Sequence, residues 1–389
     1  MRRLIRGSKK EKPILFSYLL FSVILIIVVS TLAVLIKYPP YQQQQHIAIQ
    51  ENMSLRHISE RNDVPLSSIV SLLNPGNRKD FIATFRNIHK PLRDQNIGTD
   101  RLRAAILEAR AKGFPFKDLI RHILWGFTVA AAGYVLLRRK RIPEIRRVWL
   151  ILTFVGFGIL LGASPNPMEA TVRVHKLING IPGNPLILVG LSFIILTLLS
   201  LLGSRLLCSW GCPLGAFQEI LYNIPILKWF KRTHKFSFAA SIAVRITFYV
   251  FFLLLLFGVL NINQGGPGSI LYHHFNLFKI FNPFELAQFS LLLIPLFVIA
   301  SFLVFRPFCH TICPFGLWAW LLERAALFKL RKINPDACEG CRLCEKACPT
   351  EAMKAINENT KGLFIPDCWS CGNCLNACPQ NILEFARND

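Results

Sequence analysis

Charge is scarce in this chain, and negative charge scarcest of all. Of 389 residues only 17% are charged, and Asp and Glu together number 22. An ordinary soluble domain carries about 25% charged residues. The shortfall, with 52% apolar residues gathered into long runs, excludes a wholly soluble chain and points to a polytopic membrane protein with smaller soluble parts. Cysteine is absent before Cys208, which excludes thiolate chemistry from the first half. Residues 38–117 show no nucleophile–base pair and no metal-ligand spacing, and read as a small helical docking domain. Histidines are few, nine in all. A transmembrane haem needs a facing pair. Only His122, near the outer end of one run, and His175, His273 and His274 in loops offer candidates. They serve equally as lining for a quinol site or as interfacial residues with no such role.

The apolar runs predict six spans, at 14–36, 119–137, 148–164, 185–207, 246–262 and 286–305, each close to the ~20 residues that cross a bilayer core. The first run follows a basic start. It is longer than the apolar region of a signal peptide, and no small-x-small cleavage site follows it, so it reads as a retained helix. The net charge of +23 lies in clusters flanking the runs rather than on one face. This favours loops held on the cytoplasmic side over nucleic-acid binding. Arg138 to Arg141 with Arg146 and Arg147, then Lys228 to Arg245, then Arg324 to Lys332, alternate with loops at 165–184 and 263–285 that carry few basic residues. Both termini fall in the cytoplasm, with residues 38–117 outside. There, helices are expected after Asp63-Val64-Pro65 and from Thr99 to Ala111. Ser54-Leu55-Arg56 and Pro91-Leu92-Arg93 suggest a weak duplication. Pro295 inside the last run is a tolerated kink.

The strongest signal is at the C-terminus. Cys338, Cys341, Cys344 and Cys348 are spaced C-x2-C-x2-C-x3-C with Pro349 next, and Cys368, Cys371, Cys374 and Cys378 repeat this with Pro379 next. Zinc sites use four ligands, usually in two separated pairs, so eight cysteines in this doubled pattern point to two [4Fe–4S] clusters. Three close thiolates wrap one face of a cubane and the fourth reaches the other cluster. The expected sets are therefore Cys338, Cys341, Cys344 and Cys378 for one, and Cys368, Cys371, Cys374 and Cys348 for the other. Pro349 to Asp367 would supply the short helix and strand of an α+β ferredoxin-like domain at 333–389. Two adjacent clusters make an electron relay rather than an active site.

The other four cysteines form a second repeat. Arg205-x2-Cys208-x3-Cys212-Pro213-x-Gly215 recurs as Arg306-x2-Cys309-x3-Cys313-Pro314-x-Gly316. Each copy closes an apolar run. Each is followed by an amphipathic stretch, Leu227–Arg232 or Leu327–Lys332, of the kind that lies in a membrane interface. Arg205 and Arg306 are placed to snorkel to the headgroups. Cys208, Cys212, Cys309 and Cys313 together suit a further iron–sulfur or metal centre, a redox-active dithiol pair, or buried structural positions. His310 within the second motif is a ligand candidate or an interfacial residue.

Paired C-x3-C-P motifs ahead of a two-cluster ferredoxin tail resemble the membrane polyferredoxin family, over about residues 148–385. That family includes the quinol dehydrogenase membrane component of periplasmic nitrate reductase and nitrous-oxide reductase regulator-type donors. The loop Ser164-Pro165-Asn166-Pro167-Met168-Glu169 fits the same likeness. The resemblance implies a bacterial inner-membrane protein, with its ferredoxin domain in the cytoplasm, passing electrons between the quinone pool and flavin, haem or reductase partners. It implies an electron-transfer component rather than a stand-alone enzyme. Some family members carry a covalent FMN threonine in a Ser-Gly-Ala-Thr-type motif. Gly162-Ala163-Ser164 is only a fragment of it, so no covalent flavin is expected. The organisation expected is 1–37 (tail and first span), 38–117 (helical domain), 118–332 (five-helix membrane domain) and 333–389 (ferredoxin domain). Two other roles suit the same features: a maturation factor that supplies electrons for metal insertion, and an iron–sulfur redox sensor.

Overall fold

The computed structural model describes residues 47–387 except 63, 65, 75–77, 96, 112–115, 139–141, 163–165, 179–185, 226–230, 232–234, 236, 257–274, 282–287 and 359–366. The first apolar run, His273 and His274 lie outside the described residues. So does the side chain of His175.

Four helices open the described chain: α1 (Leu55–Asn62), α2 (Leu66–Leu73), α3 (Arg78–Arg86) and α4 (Thr99–Ala111). Both expected helix starts fall here: α2 begins at Leu66, directly after Asp63-Val64-Pro65 in the sequence, and α4 at Thr99. The four bury a core of their own, built from Leu55, Ile58, Ile69, Val70, Leu102 and Ile106 among others. The two duplicated tripeptides lie side by side, Ser54 bridging Pro91, with Leu92 N–H donating to Met53 O at 2.8 Å.

The central part is helical. It comprises α5 (Phe116–Arg138), α6 (Ile142–Thr153, continuing as a π-helical turn Phe154–Leu160), α7 (Pro167–Ile178), α8 (Leu186–Leu202), α9 (Pro213–Asn223), α10 (Phe238–Leu256) and α11 (Gln288–Leu303). The side-chain oxygen of Asn166 accepts from the N–H groups of Met168 and Glu169 and so starts α7; this explains the Asn-Pro pair of the loop. Among the described residues one helix, Ile120–Arg138, is long and apolar enough to cross a membrane by length and composition. Shorter apolar helices cover Ser192–Leu202, Phe238–Phe251 and Leu292–Leu303.

Two helices begin earlier than the apolar runs predict. Helix α6 starts at Ile142 rather than Val148, and α10 at Phe238 rather than Ile246. The early turns carry Arg146 and Arg245, which are buried at 3% and 2% exposure. They are helix residues with acid partners, not loop charges facing water.

After α11 come the short α12 (Pro307–Thr311) and α13 (Pro314–Leu322). The chain then forms β1 (Phe328–Lys332), α14 (Leu343–Ala347), α15 (Ala352–Asn357), α16 (Asn373–Ala377) and β2 (Leu383–Arg387). Strands β1 and β2 pair antiparallel, Phe328 opposite Arg387 and Lys332 opposite Leu383. Residues 328–332 are therefore the first strand of the ferredoxin part and not an interfacial amphipathic segment. That part begins about five residues before the expected boundary at 333. The motif-to-motif segment supplies a helix, α15, while both described strands lie outside it. Strand β1 is stitched to the end of α8: Leu327 N donates to Leu201 O at 2.8 Å, and Ser204 N to Phe328 O at 3.2 Å. One hydrophobic core runs from Trp125 and Leu136 through Leu207 and Phe308 to Leu383 and Phe385, so the ferredoxin part and the helices are packed as a unit.

Candidate iron–sulfur sites

In each ferredoxin motif the backbone turns left-handed twice between cysteines, at Gly340 and Arg342 in the first and at Ser370 and Gly372 in the second, with φ between 46° and 83°. These turns wrap three consecutive cysteines inward. Cys348 and Cys378 then lie at the C-terminal ends of α14 and α16, which pack on each other. The crossing is visible in the cavities. Cys338, Cys341, Cys344 and Cys378 line one of about 190 Å³, with Lys332, Glu339, Arg342, Glu345 and Glu358 at its rim. Cys348, Cys368, Cys371 and Cys374 line a second, tighter space of about 20 Å³, closed over by Leu330 and Trp369. The three-plus-one grouping expected from spacing is the grouping found around each space.

The donor set fits a cluster in each place. No group of three or more His, Cys, Asp or Glu among the described residues could hold a single metal ion; the thiols ring cavities instead, which suits a multi-atom group. The outer cavity has room for a cubane as it stands, whereas the thiols of the inner one must part to admit one. N–H groups already point at sulfur: Asn357 Nδ2 lies 3.4 Å from Cys344 Sγ, and Lys332 Nζ 3.7 Å from Cys338 Sγ. Cys338 and Cys341 are exposed to water, while Cys371 and Cys374 are buried. Burial pushes the Cys371 thiol up to about 11, with Arg146 opposing it. Any cluster there must supply the charge that deprotonates these ligands.

The C-x3-C-P motifs come together from the two repeats. All four cysteines, Cys208, Cys212, Cys309 and Cys313, are buried at 7–8% exposure and lie within electrostatic reach of one another. The repeats share detailed geometry. Arg205 and Arg306 both adopt left-handed backbone, φ 52° and 49°. Cys212 and Cys313 both precede a helix that starts with Pro. A Cβ on Gly215 would stand 2.9 Å from Cys208 O, and one on Gly316 would stand 2.7 Å from Cys309 O. Glycine is required at both places because a carbonyl approaches it. Two sulfurs have N–H neighbours at 3.5 Å, Gly215 N at Cys212 and Gln218 Nε2 at Cys309.

Arg205 and Arg306 do not snorkel. Both are fully buried, at 1% and 0%, because each has an acid to meet. Arg306 donates to Glu219 Oε2 at 2.6 Å, and Arg146 to Glu219 Oε1 at 2.6 Å. Arg205 pairs with Asp367 and Arg245 donates to Asp367 Oδ2 at 2.6 Å. Burial would raise the Asp367 carboxyl, but Arg205 and Arg245 outweigh it and hold it well below the usual range. Glu323, 4.0 Å from Arg205, is pushed by burial to about 8.

His310 is not interfacial. It is buried, with Nδ1 on Arg306 O at 3.0 Å and Nε2 near both Asp367 (3.1 Å) and Trp369 Nε1 (3.2 Å). Burial lowers its pKa, against the pull of the neighbouring Asp367 carboxylate. Trp369 itself lies under both repeat arginines, Arg205 at 4.8 Å and Arg306 at 5.2 Å from its ring. His122 bonds Ser192 across α5 and α8 at 3.1 Å.

Glu219 and Asp367 escaped the sequence reading as charge partners, and Arg146 and Arg245 were read only as loop charges. Asp367 had one signal, its place directly before the first cysteine of the second motif. The others had none, since their partners lie 73 to 122 residues away.

Comparison with known proteins agrees with the ferredoxin reading. The 4Fe-4S dicluster domain matches residues 337–383, and a 4Fe-4S binding domain matches 185–236 and again 286–333, one match per repeat. An uncharacterized protein of Methanocaldococcus jannaschii is 26% identical over 69% of this chain and 94% of its own. The ferredoxin-type protein NapH is 23% identical in Haemophilus influenzae, over 61% of this chain and 81% of its own. In Escherichia coli it is 24% identical, over 49% and 65%. No solved structure matches. With doubled cysteine motifs, duplicated C-x3-C-P segments and these relatives, the chain belongs to the polyferredoxin family and is an iron–sulfur electron-transfer protein.

Proposed function

We propose that the chain binds two [4Fe–4S] clusters and relays electrons between a membrane donor, with the quinone pool the substrate that the family resemblance implies, and a redox partner on the cytoplasmic side. The observation that carries this reading is the crossed ring of cysteines, Cys338, Cys341, Cys344 and Cys378 around one cavity and Cys348, Cys368, Cys371 and Cys374 around the other. The clusters supply one-electron redox chemistry. The chain's own residues hold them close through the packed pair α14 and α16, leave Cys338 and Cys341 open to a partner, and shield the inner ligands behind Leu330 and Trp369. Six spans with both termini in the cytoplasm are proposed from the apolar runs and their basic flanks.

The four C-x3-C-P cysteines make a candidate third site on the same path. His310 and Trp369 stand between Cys309 and the inner cavity, their rings 5.1 Å apart. Iron and acid-labile sulfide per chain, measured on protein purified without oxygen, test the reading. About eight of each mean that the two ferredoxin clusters are the full complement. Clearly more than eight place a further centre at Cys208, Cys212, Cys309 and Cys313. Four or fewer would overturn the two-cluster assignment.

A further inference from the structure

The buried charges beside the inner cavity do not balance. Four guanidiniums, Arg146, Arg205, Arg245 and Arg306, are each at least 97% buried, against two equally enclosed carboxylates, Glu219 and Asp367, and the Glu323 carboxyl, which keeps its proton to about pH 8. Several of their N–H groups have no hydrogen-bond partner: Nη1 of Arg146, Nε and Nη2 of Arg205, and Nη1 of Arg245. An unopposed buried cation is costly, so the arrangement implies an anion that completes it.

The arginines converge on one place. Arg146 stacks over Trp210 at 4.6 Å, whose indole donates to Ser370 O at 3.0 Å, next to Cys371. Arg205 and Arg306 cover Trp369. Arg205 and Arg245 grip Asp367, next to Cys368. Trp369, Ser370, Cys368 and Cys371 all line the inner cavity. The outer cavity is different in kind. Its charged lining is Lys332 and Arg342 against Glu339, Glu345 and Glu358, an acidic balance open to water that salt screens.

We propose that the buried arginine excess is the counter-charge of the inner cluster and makes it the more easily reduced of the two. This rests on the two-cluster reading above. A [4Fe–4S] cluster with four thiolates is a dianion, and taking up one electron makes it a trianion. Fixed positive charge favours the more negative form, and more strongly where little water intervenes. Burial alone works the other way, since the trianion loses more hydration; the arginines have to outweigh it. With the inner cluster the stronger acceptor, an electron entering at the exposed outer cluster comes to rest beside the C-x3-C-P cysteines. An electron leaving toward the cytoplasm climbs from inner to outer cluster.

The experiment is a redox titration of the full-length protein in detergent, without oxygen, with dithionite as reductant and each cluster followed by electron paramagnetic resonance. Iron and sulfide are measured on every sample. Arg146→Gln is expected to make one of the two reductions at least tenfold less favourable, a fall of about 59 mV for one electron. The affected wave is expected to be the one at higher potential in the unsubstituted protein. Arg146→Lys, which keeps the charge, is expected to restore most of the shift. Lys332→Gln, at the outer cavity, is expected to move the other wave alone. If Arg146→Gln does not fold, Arg245→Gln is read in the same way. The inference is overturned if the arginine-sensitive wave is the lower one, if neither wave moves, if both substitutions move the same wave, or if Lys and Gln at 146 give equal shifts. Fewer than two clusters in the unsubstituted protein instead removes the two-cluster reading, and this inference with it.

Discussion

Removing the charge of Asp367 would leave Arg205 and Arg245 facing each other, fully buried, with no carboxylate between them. Breaking a buried pair in this way costs about 3–5 kcal/mol. Asp367→Asn should therefore lower the thermal midpoint sharply and speed proteolytic release of the ferredoxin part, whereas substitution of the exposed Asp336 should do neither. Glu323 makes a different prediction. Its carboxyl titrates near 8 in the folded protein, above the ~4.3 of a free glutamate, so the folded form keeps a proton that the unfolded chain releases. Stability is full below the unfolded value and falls as pH rises toward 8. Glu323→Gln should abolish that fall, seen as a thermal midpoint that no longer drops between about pH 5 and 8. At this scale the grouping of the eight ferredoxin cysteines was legible because it follows from local spacing. The acids were not, because a buried ion pair between distant residues leaves no periodic trace. Arg205 and Arg306 were legible as a repeat, yet their environment was misjudged: a basic residue closing an apolar run reads as interfacial unless its acid is known.

Among the elements, the joint between α16 and the helices depends on Gly372. It has φ 83°, and a Cβ there would stand 2.7 Å from both Leu136 and Ile142. Gly340, in the first motif, has φ 70° with nothing within 4 Å. Both Ala substitutions incur left-handed backbone strain of about 1–2 kcal/mol. Only Gly372→Ala adds a collision with packed side chains, about 1–3 kcal/mol more. Gly372→Ala should thus destabilise clearly more than Gly340→Ala in chemical denaturation, a ranking that an equal loss would refute. Strand β1 shows why one element was misread. Phe328 and Leu330 are buried while Lys329 and Arg331 alternate between them, a period of two. Over five residues that pattern is too short to separate from an amphipathic helical turn, and its likeness to Leu227–Arg232 favoured an interfacial stretch.

For the whole molecule, the four-helix unit at 55–111 has a core distinct from that of the remainder. Its deletion should leave both cluster signals and their potentials unchanged; loss of either signal would show that it supports the redox part. The order of helices and the ferredoxin tail were legible from apolar runs and cysteine motifs. The tight union of tail and helices was not, because it is made by two backbone bonds between β1 and the end of α8 and by isolated contacts between distant residues: Trp210 on Ser370, Arg205 on Asp367, Leu136 on Gly372.

The two left-handed arginines carry a consequence for how such a protein is assembled. The duplication creates two equivalent sockets, one behind each C-x3-C-P segment. The second arginine turns back and is occupied by Glu219 of the first repeat, closing the halves on each other. The first is left to receive an outsider, and the tail's aspartate is what plugs it. A scaffold built on a duplicated motif is thereby given a single outlet, and the tail has one seat rather than two competing ones.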